Sequence, residues 1–102
     1  MRITQAHLEN LAEWLNHEKG YPAQAWIRDE NGHNAQVLHI YVQRSSGSWH
    51  VNQMVNTGGG VRCLNSGTAR EVYEFLRGMQ EAVFLDDFQK RITGRQPNEN
   101  IN

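Results

Sequence analysis

Three consecutive glycines at positions 58–60 restrict the fold of this chain more than any other feature. Glycine adopts backbone conformations that a side chain forbids, so a run of three favours a sharp change of chain direction. The glycines lie in the stretch VNTGGGVRCLNSGTARE, residues 55–71, after a strand-like segment. Thr68 and Glu71 have the spacing of a capping box, which begins a helix. The stretch therefore predicts the end of a sheet followed by the start of a helix.

Two segments have the periodicity of amphipathic helices. Apolar residues recur at helical spacing between positions 4 and 19, with Thr4 as the N-cap and Gly20 as the stop. The second helix follows Thr68 and ends near Gly94. Its apolar stripe consists of Val72, Phe75, Leu76, Met79, Val83 and Phe88. Gly78 interrupts this stripe and predicts that a bulky side chain approaches the helix closely there.

Alternating apolar and polar residues between the helices predict strands over residues 23–28, 35–44 and 49–57. Residues 61–64 favour either a short edge strand or an extended connector. The predicted fold is α+β, with an N-terminal helix, a three- to four-stranded antiparallel sheet and a long C-terminal helix. Both helices are expected on one face of the sheet. We expect one domain over residues 1–94 and a flexible polar tail over residues 95–102.

Composition excludes several classes of protein. The chain has 102 residues and a net charge of -1, so it lacks the strongly basic character of most nucleic-acid binders. Cys63 is the only cysteine, which rules out an intrachain disulfide and a cysteine-based zinc site. No apolar segment has the length of a signal core or a membrane span. We expect a cytoplasmic protein that does not contact membranes.

The glycine run and its neighbours also have the features of a site that binds an anion. Successive backbone amides near a helix start can hold a phosphate, and Arg62 and Arg70 flank the run. However, no Gly-Lys-Ser or Gly-Lys-Thr motif follows, and Glu71 would compete with an anion. The alternative is a tight turn or bulge, which glycines allow with little strain. Both interpretations remain open on the sequence alone.

Catalytic and metal-binding patterns are weak. Cys63 and His50 would be neighbours across the sheet, but their flanking residues do not match a cysteine enzyme. The five histidines show neither an HxH nor an HExxH pattern. We therefore expect no catalytic residues, no metal, no cofactor and no enzymatic activity.

The sheet face away from the helices is the main candidate for a binding surface. Alternation assigns to it Val37, His39, Tyr41 and Gln43 from one strand, His50, Asn52, Met54 and Asn56 from the next, and Trp26 from the first. Aromatic residues and methionine are enriched at interfaces, where charge is depleted. The alternative is an ordinary polar face with a few exposed apolar side chains.

Two segments, MVNTGGGVR at residues 54–62 and GTAREVYEFLRGM at residues 67–79, resemble a family of small phage and prophage proteins. In that family a strand ends in an Asn-x-Gly-Gly-Gly-Val turn, and a helix follows that begins near a basic-Glu pair, here Arg70-Glu71. The opening helix is also similar, so the resemblance covers most of residues 4–80. Many relatives have Gly-Gly-Tyr before the middle strand. At that place this chain has the sequence LHIY, residues 38–41. The resemblance implies a small accessory protein made in an infected or lysogenic bacterium, and it specifies no activity.

These observations favour a non-enzymatic module that binds a host or phage protein, for host takeover or evasion of host defence, with homodimer formation through the open sheet face. The alternative is nucleic-acid binding, because helix, three strands and helix is the element order of double-stranded-RNA-binding domains. The low net charge and the acidic first helix disfavour this alternative. The candidate binding residues are Trp26, His39, Tyr41, Met54, Asn56, Gly58, Gly59, Gly60, Arg62 and Arg70.

Overall fold

Two helices and five strands make up the part of the chain that the computed structural model describes, residues 2–93. In chain order they are α1 (Gln5–Lys19), β1 (Trp26–Asp29), β2 (Gly32–Ala35), β3 (Ile40–Ser45), β4 (Ser48–Met54), β5 (Val61–Gly67) and α2 (Ala69–Thr93). The strands form two antiparallel sheets, the β1–β2 hairpin and a three-stranded sheet in the order β3-β4-β5. The predicted α+β fold is therefore confirmed. The predicted tail, residues 95–102, and the predicted helix stop at Gly94 lie outside the described residues.

The core lies between the two helices and the three-stranded sheet. Its buried members are Leu8, Ala12 and Leu15 from α1, Ile40 and Val51 from the sheet, and Val72 and Leu76 from α2. Both helices therefore pack on the same face of the sheet, because each has the apolar stripe that such packing requires. Trp14, Trp49 and Phe75 are partly buried around this cluster.

Side chains satisfy the free backbone amides at the start of each helix, as the sequence predicts. Thr4 Oγ1 accepts a hydrogen bond from His7 N at 3.3 Å, and His7 Nδ1 accepts one from Thr4 N. At α2, Thr68 Oγ1 accepts from Glu71 N at 3.1 Å, and the Glu71 carboxylate accepts from Thr68 N at 2.9 Å. These bonds from Thr68 lower the pKa of Glu71, because they stabilise its charged form.

Replacement of Glu71 by glutamine is expected to reduce stability at neutral pH but not in acid. A carboxyl whose pKa is lower in the folded state stabilises the fold above its ordinary pKa, and this contribution disappears as the pH falls through the lowered value. The difference between wild type and Glu71→Gln in urea denaturation should therefore shrink to zero below that value. Glu13→Gln removes the same charge from an exposed site on α1 and is the control. A difference that is unchanged in acid would contradict this role of the carboxylate.

The prediction of one continuous strand over residues 35–44 is wrong, because the chain changes its pairing partner inside that segment. Ala35 ends β2, where it is opposite Trp26, whereas Ile40 begins β3 opposite Gln53. Between them Leu38 has a φ of 83°, which is rare for a residue with a side chain. Leu38 N donates to Met54 O at 2.7 Å and Leu38 O accepts from Gln53 Nε2, so the turn is fixed to β4. The first predicted strand therefore belongs to a separate hairpin.

The apolar residues that periodicity predicts to be buried in α2 are buried only in the first half of the helix. The helix has 25 residues, or roughly 37 Å, whereas the seven residues of β5 span only roughly 23 Å. Because the helix is longer than the strands it covers, Phe88 is exposed. The expectation for Gly78 is also wrong, since nothing lies within 4 Å of the position that its Cβ would occupy.

Candidate protein-binding surfaces

The glycine turn between β4 and β5 has no glycine amide available for an anion. Asn56 Oδ1 accepts hydrogen bonds from Gly58 N at 3.0 Å and from Gly60 N at 2.8 Å. Gly59 N donates to Asn56 O at 3.3 Å. The three glycine amides are thus all used within the turn, so the anion interpretation is wrong and the tight-turn interpretation is correct. An Asn two residues before a glycine is a known signal for this side-chain turn.

Gly59 instead makes room for the indole of Trp26. A Cβ on Gly59 would lie 2.7 Å from Cη2 of Trp26, closer than carbon atoms can approach. The φ of Gly59 is 94°, which also disfavours any other residue. The ring therefore rests on bare backbone and holds the β1–β2 hairpin against the end of the three-stranded sheet. Trp26 as a whole residue is still 46% exposed.

Arg62 and Arg70 do not form a joint basic site. Arg62 is the second residue of β5, and Arg70 comes after the strand has ended and α2 has begun, so roughly 20 Å of strand separates them. Arg62 donates to Gln53 Oε1 at 3.4 Å, and Arg70 forms an ion pair with Glu74 at 3.5 Å. The expectation that both flank the glycine turn near a helix start is wrong, because β5 is longer than the predicted four residues.

Three residues expected on an open sheet face are buried instead. Met54 is 1% exposed, Asn52 is 8% exposed and His39 is 9% exposed. Met54 and Ala35 are both buried outside the main core cluster, and Trp26 of β1 rests on Gly59 at this end of the sheet. His39 precedes β3, where its Nδ1 donates to Pro22 O at 2.8 Å. Alternation alone could not reveal these burials, because the residues that pack nearby, such as Pro22 beside His39, come from an earlier part of the chain.

Asn16 on α1 occupies the outer edge of β3 in the same region. Its Nδ2 donates to Ile40 O and its Oδ1 accepts from Ile40 N, both at 2.8 Å. The amide thereby pairs with Ile40 as a neighbouring strand would. Asn16 is 3% exposed, so this edge of the sheet is closed by a side chain from the first helix.

The rest of this sheet face is polar. Asn52 Nδ2 donates to Gln43 Oε1 at 3.3 Å, and Tyr41 is half-buried and stacks on His39 with ring centroids 6.0 Å apart. Cys63 is exposed, its Sγ lies 4.0 Å from His50 Nδ1, and it donates to Asn65 O at 3.3 Å. No group of three or more metal-ligating side chains gathers within residues 2–92. Of the two interpretations, the polar face fits these residues better than an interface does.

Exposed apolar side chains instead surround the glycine turn. Leu38 is 45% exposed, Val55 is 43% exposed and Val61 is 45% exposed. Val55 N donates to Gly60 O, and Val61 is opposite Met54, whose carbonyl accepts from Leu38. Together with the exposed part of Trp26, they form what we call the glycine-turn surface. Trp26 and the glycines were expected to bind a partner, whereas Leu38 and Val55 were assigned to strands and Val61 to a short edge strand or connector.

A second apolar surface lies on the distal half of α2. It consists of Phe84, Leu85, Phe88 and Ile92, which are 47%, 63%, 58% and 66% exposed. We call these four residues the α2 stripe. Phe84 also contacts Trp14 of α1, with ring centroids 5.2 Å apart. The signal that could have revealed it is the length of the helical pattern, which exceeds that of any predicted strand.

Comparison of the chain with protein-family models, with curated proteins and with solved structures finds no match. The resemblance to small phage proteins therefore stays a prediction. Neither of the two described helices is long and apolar enough to cross a membrane.

Proposed function

We propose that this chain is a non-enzymatic phage or prophage accessory protein that binds a host or phage protein through the glycine-turn surface. The observation that carries the proposal is the exposure of Trp26, Leu38, Val55 and Val61 around one rigid turn. Large apolar side chains grouped on a surface are a common mark of protein interfaces. The same segment, residues 54–62, carries the resemblance to phage proteins.

Rigidity supports this choice of surface. The turn is fixed by the hydrogen bonds of Asn56 and by the packing of Trp26 on Gly59. A surface that is already ordered loses little conformational entropy when a partner binds, so more of its apolar burial appears as affinity. Aromatic side chains such as Trp26 are also enriched among residues that dominate binding energy.

A Val55→Asp, Val61→Asp double variant is expected to lose its protein partner. Two carboxylates would have to be buried in the interface, which should weaken binding by at least about tenfold. The measurement is capture from a bacterial lysate by the tagged full chain, followed by titration of the captured protein. Both side chains are exposed, so circular dichroism should show an unchanged fold.

Asn10→Asp is the matched control, because it adds a carboxylate to an exposed position on α1. It should retain the partner as wild type does. If the double variant captures the same protein with the same affinity, the glycine-turn surface is not the binding site.

Nucleic-acid binding is the weaker alternative. The net charge of the chain is -1, and Arg62 lies near the start of β5 whereas Arg70 lies beyond its other end, in α2. Phosphate binding normally needs several cations that act together. The geometry of the described residues offers this alternative no specific support.

A further inference from the structure

The α2 stripe faces away from the core of its own chain. At about 100° per residue, Phe84, Leu85, Phe88 and Ile92 fall within roughly 100° of one another around the helix, almost opposite Met79 and Val83. Met79 and Val83 pack against the core cluster. The stripe thus belongs to a second apolar face of the helix. The Trp14 ring of α1 lies beside Phe84, and Glu18 of α1 lies at the edge of the same surface.

Along its two long sides, charged residues of α2 border this stripe on one side only. Asp87 and Arg91 lie one turn apart next to Phe84, with Glu18 of α1 close by, whereas the other border carries Gln89 and Ala82. The N-terminal end of the stripe is closed by Arg77 and Glu81, which pair with each other at 3.8 Å. Within residues 2–92 no ion pair joins Asp87 to Arg91, although the neighbouring Asp86 and Lys90 do pair, at 3.1 Å. Asp86 and Lys90 line the groove between α2 and the end of α1, and Asp87 lies at the edge of that groove.

We propose that the α2 stripe binds the α2 stripe of a second copy of this chain, with the two helices antiparallel. Antiparallel helices bring the same border of each copy together. A two-fold axis near residues 88 and 89 then places Asp87 of each copy opposite Arg91 of the other. It also places Leu85 beside the partner's Ile92 and Phe88 beside the partner's Phe88.

The charge pattern favours this arrangement over a parallel one. In a parallel pair, the Asp87 and Arg91 border of one copy faces the Gln89 and Ala82 border of the other, so the charges have no opposite partners. The antiparallel pair instead gains two equivalent ion pairs around one apolar strip. Four half-exposed side chains per copy form a small interface, below the roughly 1,200 Å² of stable complexes. The dimer should therefore be weak and depend on concentration.

This dimer is independent of the proposed function, since it uses a different surface. Sedimentation equilibrium of the full chain from about 10 to about 500 μM should show a reversible dimer, as expected for an interface of this size. Leu85→Lys should leave only monomer, because it places a charge inside the apolar strip. Asp87→Arg and Arg91→Asp should each weaken the dimer by about tenfold, because like charges then face each other twice.

The sharpest test mixes the two single variants in equal amounts. Asp87→Arg has two arginines on its border and Arg91→Asp has two aspartates, so the mixture should form a heterodimer about as tight as the wild-type dimer. Asp86→Arg is the matched control: it makes the same change of charge away from the stripe and should dimerise normally. A strict monomer at every concentration, a dimer that survives Leu85→Lys, or a mixture that fails to recover would overturn the proposal.

Discussion

Replacement of Asn16 by leucine is expected to lower the free energy of unfolding by about 3 kcal/mol, because two buried backbone groups lose their only side-chain partner. Asn16 Nδ2 and Oδ1 bond the carbonyl and the amide of Ile40, each at 2.8 Å. Ile40 is 1% exposed, so water cannot easily replace these bonds. Leucine has a similar volume and is itself favourable in a helix, so packing and propensity change little. The loss thus reports the hydrogen bonds.

Thermal and urea denaturation, followed by circular dichroism, measure this effect. A loss of about 3 kcal/mol corresponds to a fall in Tm of roughly 10–20 °C for a domain of this size. Asn16→Ala should be still less stable because it adds a cavity. Asn10→Ala, on the exposed side of the same helix, should change stability by less than about 0.5 kcal/mol. If Asn16→Leu is as stable as wild type, the Asn16 amide does not stabilise the edge of β3.

Replacement of Gly59 by alanine is expected to release the β1–β2 hairpin from the sheet. The new methyl group would lie 2.7 Å from the Trp26 ring, and the φ of 94° strains any residue with a Cβ. Together these effects should cost about 2–4 kcal/mol. We expect local release rather than global unfolding, because the core cluster contains no residue of the hairpin.

Trp26 reports this release directly. Its indole N–H resonance should move toward that of a solvent-exposed ring, and hairpin amides should exchange faster with solvent, while α1 and α2 stay protected. Gly58→Ala is the matched control, because its Cβ would meet only Asn56 Oδ1, at 3.5 Å. In a Trp26→Ala background, Gly59→Ala should lose the part of its cost that comes from the clash. Equal costs in both backgrounds would show that the ring does not pack on Gly59.

Predictions from the sequence succeeded where the interaction is local. The caps at Thr4 and Thr68 each depend on residues three positions apart. Periodicity also identified both helices, because a face that packs on a sheet must be apolar at a fixed spacing.

Predictions failed where a residue depends on a distant part of the chain. Alternation assigned His39 to an exposed face, but the Pro22 carbonyl and the Asn16 amide from α1 surround it. Alternation also could not show that the chain stops pairing with β1 and begins pairing with β4 around Leu38. Pairing with either strand allows the same alternating pattern. Phe88 was expected in the buried stripe of the second helix but is exposed, since helical spacing does not reveal how far the sheet extends beneath a helix.

The glycine run illustrates the same division. The sequence by itself determined that the chain must turn sharply at residues 58–60, because a backbone without side chains is needed only where φ or close contact demands it. Whether the space beside these glycines would hold an anion or a side chain depended on which distant residues pack against the turn. The tertiary structure placed Trp26 on Gly59 and left Val55 and Val61 exposed beside it. Packing between residues more than 30 positions apart made that choice, and local pattern contains no information about such packing.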